Sequence, residues 1–203
     1  MNKQREVPVV SAVLVMINIL VFIICSMTGK WLYNLGMLDL GGVFAQKEYG
    51  RILFSMFLHS DISHLFNNML ILFFLGAMLE KELGHFRYLL LFLLSGIGGN
   101  LLSLLYKVLT YNMTGTIGAS GAIFGMDGAL LALILFSRTT MSEISPGRVI
   151  LMIAYSLYSG FAGSNIDNAA HIGGLCIGFI IGSIMTVTDK RKKVKDKRDS
   201  FEY

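Results

Sequence analysis

The chain has 203 residues, of which 54% are hydrophobic and 15% are charged, and its formal net charge at pH 7 is +4. Soluble globular domains carry about 25% charged residues, so this composition excludes an ordinary soluble domain and indicates a membrane protein. Both cysteines, Cys25 and Cys176, fall within apolar runs, where a free thiol behaves as a small hydrophobic side chain.

Six apolar runs follow one another along the chain, each close to the roughly 20 residues that a spanning helix needs. We predict spanning helices over residues 9–27, 62–79, 86–105, 120–136, 149–162 and 169–187. The fifth run is the shortest and covers about 21 Å of a hydrocarbon core about 30 Å thick. The predicted fold class is an all-α polytopic membrane protein with a bundle of six transmembrane helices.

The first run, although it follows Lys3 and Arg5, is expected to be a retained helix rather than a cleaved signal peptide. It is long, and no cleavage site between small residues follows it cleanly. Residues 28–59 form the longest connection, which is too long for a simple link between helices. We expect this connection to be partly structured, with its aromatic residues in the outer membrane interface.

The basic residues predict the orientation, because Lys and Arg near spans concentrate on the cytoplasmic side. With the N-terminus inside, thirteen of the 17 Lys and Arg residues are cytoplasmic and four are outside. We therefore expect a cytoplasmic N-terminal segment over 1–8, the membrane domain over 9–188 and a basic cytoplasmic tail over 189–203. A basic run directly after a membrane helix is typical of a topology anchor or of a contact with membrane lipids, so no nucleic-acid partner is needed to explain it.

Polar side chains cluster where the second, fourth and sixth predicted helices begin. Polar groups inside a membrane are costly and are therefore candidate functional sites. In the predicted orientation all three helices enter from the outside, so these side chains lie at one depth. They are His59, His64, Asn67 and Asn68 in the segment HSDISHLFNN, then Ser120, and then His171 in the segment AHIGG.

Each of these residues alone has an ordinary structural interpretation, since a serine in a membrane helix usually bonds to the preceding turn. A single histidine near a helix N-terminus is also more often structural than catalytic. Glycines at helical spacing change this interpretation, because they give two helices bare faces that can pack closely. They are Gly121, Gly125 and Gly128 after Ser120, and Gly174, Gly178 and Gly182 after His171.

Close packing would bring the Ser120 hydroxyl within reach of the His171 imidazole, and a histidine that accepts its proton turns a weak nucleophile into an active one. The glycine-rich approach to Ser120 leaves backbone N–H groups at a helix start that can hold an oxyanion. His64 and Asn68 lie one helical turn apart and face the same way, so both side chains can donate further hydrogen bonds.

Three motifs in this order resemble the signature of the rhomboid intramembrane serine proteases. They are His64 and Asn68 followed by Glu80, Lys81 and Gly84, the segment GASG at 118–121, and the segment AHIGGLCIG at 170–178. The resemblance covers about residues 8–188. It implies the basic six-helix prokaryotic form in a bacterial plasma membrane, and cleavage of single-span or polytopic membrane proteins near the outer ends of their transmembrane segments.

The resemblance also implies residue roles: Ser120 as nucleophile and His171 as general base, without an acidic third member. It implies an oxyanion hole formed by His64, Asn68 and the Ser120 backbone N–H. It also implies a water-filled cavity that is open to the outside and gated by the fifth helix and the loop above it. Phe124 stands where the family often has a Tyr against the histidine, and Gly50 stands beside Arg51 where many members have Trp. The supporting residues implied by the resemblance are Gly118, Gly121, Phe124, Gly174, Gly178 and Arg51.

No acidic residue is expected in the catalytic group. Asp127 lies seven residues beyond Ser120 and thus about 10 Å deeper in the membrane, and its role has no assignment from the sequence. Asp167 lies four residues before His171 and is expected to cap the sixth helix. The four scattered histidines have no zinc-protease spacing, so no metal or other cofactor is expected.

Two other functions remain open from the sequence. A non-proteolytic rhomboid-like chaperone or binding factor would use the same fold to hold membrane helices, although such relatives typically lack the serine or the histidine. A transporter or channel would use the polar residues as a solute path. The absence of a repeated half argues against that last interpretation.

Overall fold

A computed structural model describes residues 7–29, 31–136, 146–161 and 166–199 of the chain. These residues form eight α-helices, a π-helical turn at Gly41–Ala45 and a 3-10 turn at Ser55–Phe57. The helices are α1 (Val9–Thr28), α2 (Trp31–Gly36), α3 (Arg51–Phe54), α4 (Ile62–Leu83), α5 (His85–Thr110), α6 (Ser120–Phe136), α7 (Pro146–Phe161) and α8 (Asn168–Asp199). Six of these helices coincide with the six predicted apolar runs, so the all-helical prediction is confirmed for the described residues.

Among the described residues, four helices are long and apolar enough to cross a membrane: α1, α4, α5 and the Asn168–Asp189 part of α8. The other two apolar helices are shorter, namely α6 and the Ile150–Phe161 part of α7. α8 continues beyond its apolar part, and the backbone of the basic segment remains helical as far as Asp199.

The centre of the fold is α6, which is enclosed by its neighbours and is apolar apart from Ser120 and Asp127. Every residue from Gly121 to Leu130 is buried. Helices α5 and α8 pack against it, and α4 and α7 complete the enclosure. A helix in this position has no polar face toward solvent, so the pattern of hydrophobic residues alone does not show which face bears the functional residues.

Glycines allow α6 and α8 to approach more closely than any side chain would permit. A β-carbon on Gly174 would lie 1.9 Å from the carbonyl oxygen of Gly121, and one on Gly178 would lie 1.9 Å from that of Gly125. Both contacts are with backbone atoms, which cannot rotate away. The close packing predicted from the glycine spacing is therefore confirmed.

A buried carboxylate joins the first helix to the bundle at the end opposite the predicted active site. Glu80 of α4, 1% exposed, accepts hydrogen bonds from the backbone nitrogens of Val10 and Ser11 at 2.8 Å. It also accepts from Ser11 Oγ at 2.6 Å and pairs with His85 Nδ1 at 2.5 Å. Glu80 thus satisfies the free N–H groups at the start of α1, and its negative charge suits that helix end.

The connection between α1 and α4 is partly structured, as the sequence predicts, and Arg51 holds it together. The guanidinium of this 6% exposed residue donates to the Met37 carbonyl at 2.8 Å, to Asp39 at 2.9 Å and to Glu48 at 2.7 Å. A β-carbon on Gly42 would lie 2.3 Å from Arg51 Nε, so the chain wraps closely around the side chain. The loop is therefore anchored without the tryptophan that Gly50 replaces.

Candidate active site

Ser120 and His171 meet at the end of the close α6–α8 contact. Ser120 is the first residue of α6, and His171 lies in the first turn of α8. Their side chains form a hydrogen bond of 2.7 Å between Ser120 Oγ and His171 Nε2. The two residues are 51 positions apart in the chain, so the packing of the two helices creates this pair.

The position of the His171 ring is fixed by aromatic packing rather than by a carboxylate. Phe124, one turn after Ser120, stacks on the imidazole with a centroid distance of 4.3 Å and an interplanar angle of 14°. Phe161 of α7 packs edge-on against the same ring at 6.0 Å. In the described part of the chain no side chain hydrogen-bonds to His171 Nδ1, so none of these residues adds a carboxylate to the Ser120–His171 pair.

A small space beside Ser120 is lined by nitrogen atoms and kept open by Gly118. A β-carbon on Gly118 would lie 2.8 Å from His64 Nε2 and 3.6 Å from Asn68 Nδ2. The φ angle of Gly118 is +125°, a conformation that L side chains rarely adopt. Glycine is therefore required at this position on two grounds, since a side chain would both strain the backbone and fill the space.

His59, which precedes α4, orients the amide of Asn68. Its Nε2 lies 3.0 Å from Asn68 Nδ2, and the His59 side chain is fully buried. Burial, followed by the charge of His64, lowers the pKa of His59 to about 3, so the ring is neutral. A neutral ring accepts one amide hydrogen of Asn68 at Nε2 and leaves the other amide hydrogen free for a ligand.

Ser120, His171, His64 and Asn68 border a cavity of about 710 Å³. Its walls are the extended segment 115–118, the first turns of α4, α6 and α8, and one face of α7 that includes Ser156, Ser159 and Gly160. Because polar atoms from three helices point into one space, the cavity can hold a peptide backbone with its carbonyl next to Ser120.

Asp127 finds its partner on α7. Its Oδ2 accepts a 2.6 Å hydrogen bond from Ser156 Oγ, and both side chains are buried, with Asp127 fully enclosed. Its second oxygen, Oδ1, has no hydrogen-bond partner among the described residues. The carboxyl group thus connects α6 to α7 and does not contact His171.

Asp167 caps α8, as the sequence predicts. Its Oδ1 accepts a 3.0 Å hydrogen bond from the backbone nitrogen of Ala170. Its Oδ2 accepts hydrogen bonds from Lys107 Nζ at 2.5 Å and from the hydroxyls of Ser103 and Thr116. Burial alone would raise the pKa of Asp167, but these donors outweigh it and lower the pKa to about 2.

The structure brings together the four side chains that the sequence assigns to the catalytic pair and the oxyanion hole, namely Ser120, His171, His64 and Asn68. It places Arg51 away from them, in the loop between α1 and α4. From the sequence, His59 belongs to the polar cluster but has no assigned role, Lys107 counts only as one of the four basic residues expected outside, and Ser156 is not recognised. Only their polarity within or beside apolar runs could have drawn attention to them.

Comparison with known proteins shows to which family the chain is similar. A family model described as "Rhomboid domain" matches residues 46–187 of the chain. RHOMBOID-like protein 4 of Arabidopsis thaliana is 38% identical over 158 residues, which are 77% of this chain and 39% of that protein. Rhomboid protease GluP of Bacillus subtilis (strain 168) is 34% identical over 186 residues, 90% of this chain and 36% of that protein.

A second protein of Bacillus subtilis (strain 168), the putative rhomboid protease YdcA, is 34% identical over 161 residues, 79% of this chain and 75% of that protein. The chain thus spans about two fifths of the length of the first two relatives. It spans about three quarters of the third.

Proposed function

The chain belongs to the rhomboid family and is an integral membrane protein, and we propose that it is an intramembrane serine endopeptidase. Its substrates are membrane proteins with one or more spans, cleaved within or near a transmembrane segment. The observation that carries the proposal is the 2.7 Å hydrogen bond between Ser120 Oγ and His171 Nε2 at the edge of a peptide-sized cavity.

In the proposed reaction Ser120 is the nucleophile and His171 is the general base. Nε2 accepts the Oγ proton while Oγ forms a bond to the scissile carbonyl carbon. The imidazolium then returns the proton to the leaving nitrogen as the C–N bond breaks. A water molecule, activated by the same nitrogen, attacks the acyl-enzyme ester and releases the second product and Ser120.

The oxyanion formed in both steps is held by three donors: His64 Nε2, Asn68 Nδ2 and the Ser120 backbone nitrogen. Ser120 begins α6, so its N–H has no partner within the helix. Ser60 Oγ lies 3.1 Å from His64 Nδ1 and 2.7 Å from Asp61 Oδ2, and its one hydrogen can go to either acceptor. His64 donates from Nε2 when Ser60 gives that hydrogen to His64 Nδ1. Preorganised donors of this kind typically contribute about 100- to 1,000-fold each to kcat.

The supporting residues have separate roles in the proposal. Gly118 keeps the oxyanion space open, Phe124 holds the imidazole plane, and Arg51 holds the loop before α4. Gly174 and Gly178 set the distance between the helices that carry the nucleophile and the base. Gly121 leaves room at the same contact, where a β-carbon would lie 3.4 Å from the Ala170 carbonyl oxygen.

The proposed topology has six spans, formed by α1 and α4–α8, with both termini in the cytoplasm. Residues 1–8 and the basic segment 189–203 then flank a membrane domain over 9–188. The excess of Lys and Arg on one side supports this orientation. Two of the relatives described above are bacterial, and this supports a location in a bacterial plasma membrane.

The test uses purified protein in detergent with a single-span substrate. Wild-type protein should cut the substrate and react with a serine-directed fluorophosphonate, whereas Ser120→Ala and His171→Ala should do neither. Ser183→Ala is the matched control, because Ser183 Oγ only bonds to the Phe179 carbonyl of the preceding turn of α8. Identical fragments from wild type and Ser120→Ala would contradict the proposal.

A separate result would favour the non-proteolytic alternative. If a membrane-protein client is stabilised equally by wild type and by Ser120→Ala, while neither cleaves it, the chain acts by binding and not by hydrolysis.

A further inference from the structure

An almost fully buried cation lies at the end of α5, close to the proposed active site. Lys107 is 3% exposed, and lysine is seldom buried to this extent unless it is paired. Its Nζ lies 2.5 Å from Asp167 Oδ2, 2.5 Å from Thr116 Oγ1 and 2.9 Å from Ser103 Oγ. One ammonium group therefore contacts three acceptors from three separate parts of the chain.

Two of those acceptors belong to the segments that carry the serine and the histidine. Asp167 caps the first turn of α8 through the Ala170 nitrogen, and its own carbonyl accepts from the His171 nitrogen at 3.2 Å. Thr116 lies on the segment that leads to Ser120 and forms an antiparallel bridge with Leu38. Ser103, the third acceptor, lies on α5 and also donates to Asp167.

We propose that Lys107 is a positioning residue for the Ser120–His171 pair, acting through Asp167 on the first turn of α8 and through Thr116 on the segment before α6. Lys107 itself does not border the cavity, whereas Asp167 and Thr116 do. This inference rests on the proposed function, since it concerns the alignment of the same two side chains.

The effect of removing the cation follows from where Asp167 lies. Without Lys107 the carboxylate keeps only two hydroxyl donors and one backbone donor in a largely buried position. Because its side chain also borders the cavity, the carboxylate can turn toward water there. That movement removes the cap from the Ala170 nitrogen, and the first turn of α8, which carries His171, loses its fixed position.

Neutralising both partners should undo this effect. In Lys107→Met with Asp167→Asn no charge remains buried, and the methionine occupies much of the volume of the lysine. The asparagine oxygen can still accept from the Ala170 nitrogen. Its amide nitrogen can donate to the Ser103 and Thr116 hydroxyls, which no longer have to donate to a carboxylate. Replacing a buried ion pair by uncharged side chains of similar volume often costs no stability.

The experiment measures kcat and KM for a single-span substrate, together with the thermal unfolding temperature of each variant. Every assay is run well below that temperature. Lys107→Met should lower kcat by about 10- to 100-fold, the scale produced by a displacement of about 1 Å, with KM unchanged. The double variant should recover most of the lost kcat. Lys47→Met, at an exposed lysine of the α1–α4 connection, is the matched control and should behave as wild type.

Two outcomes would overturn the inference. One is wild-type kcat in folded Lys107→Met. The other is a double variant that unfolds at the wild-type temperature but remains as slow as Lys107→Met. If Lys107→Met does not fold, Ser103→Ala takes its place. This variant removes the hydroxyl that contacts both Lys107 Nζ and Asp167 Oδ2. Its kcat should fall several-fold at constant KM.

Failure of the proposed function would look different. In that case wild-type protein would cleave no faster than Ser120→Ala, and the Lys107 variants could not be ranked by kcat. The unfolding temperatures would still test the ion pair, with both single variants less stable than wild type and the double variant restored. Equal unfolding temperatures for wild type, Lys107→Met, Asp167→Asn and the double variant would then reject the coupling between Lys107 and Asp167, independently of the proposed function.

Discussion

Gly174→Ala tests whether the distance between α6 and α8 controls the reaction. The new β-carbon would lie 1.9 Å from the Gly121 carbonyl oxygen, whereas ordinary contact begins at 3.4 Å. The helices must therefore separate by about 1.5 Å at this turn, because neither backbone can rotate away. Gly121 follows Ser120 directly, and Gly174 lies one turn after His171, so the displacement occurs at the pair itself.

A separation of that size would break the bond between Ser120 and His171. The 2.7 Å distance between Oγ and Nε2 would increase beyond the roughly 3.5 Å at which a hydrogen bond is lost. We expect kcat to fall by about 100-fold or more. Overpacking should also destabilise the fold by about 1–3 kcal/mol.

The assay compares cleavage of a single-span substrate and fluorophosphonate labelling in wild type, Gly174→Ala and Ile172→Ala. Ile172 lies in the same turn of α8 and is half exposed on another face, so its truncation should leave kcat near the wild-type value. Thermal unfolding shows how much of each variant is folded at the assay temperature. Wild-type kcat in folded Gly174→Ala would refute the reasoning about helix distance.

Three further predictions concern contacts described above. Ser156→Ala should lower the free energy of unfolding by about 1–3 kcal/mol, measured by thermal unfolding in detergent, because it leaves both oxygens of the buried Asp127 carboxyl without a partner. Phe124→Ala should lower kcat at least about tenfold by releasing the His171 ring, whereas Phe124→Tyr, which keeps the stacked ring, should stay active. Asp167, whose folded pKa of about 2 lies below the ordinary 3.8, stabilises the fold fully above about pH 4. Its contribution of about 2 kcal/mol should disappear as the pH falls toward 2, and a pH series of unfolding curves for Asp167→Asn should lack that loss.

The positions of the long helices could be predicted from the sequence, because burying a backbone in a membrane requires continuous apolar helices. The first predicted span, 9–27, ends one residue before α1 does. The last one, 169–187, is much shorter than α8, which continues to Asp199. Hydropathy indicates which residues of a helix can lie in lipid. The lysine-rich continuation of α8 consists of good helix formers but is not apolar, so hydropathy does not detect that the helix extends through it.

The proximity of Ser120 and His171 could also be predicted from the sequence. Both residues lie in the first turns of helices that begin at the same end of the bundle, and both helices carry glycines at helical spacing. The depth of each residue follows from its place in an apolar run. The conformation of Gly118, by contrast, is visible only in the structure. So are the space beside it and the role of His59 in orienting Asn68.

Side-chain pairs between helices were decided by the tertiary structure alone. Glu80 meets Ser11 over 69 residues, Lys107 meets Asp167 over 60, and Asp127 meets Ser156 over 29. A sequence fixes which residues lie on one face of a helix and at what depth, because the helical repeat is constant. It does not fix how each helix is rotated against its neighbours. That rotation, set by the packing of glycines and large side chains, determines which buried charge meets which donor.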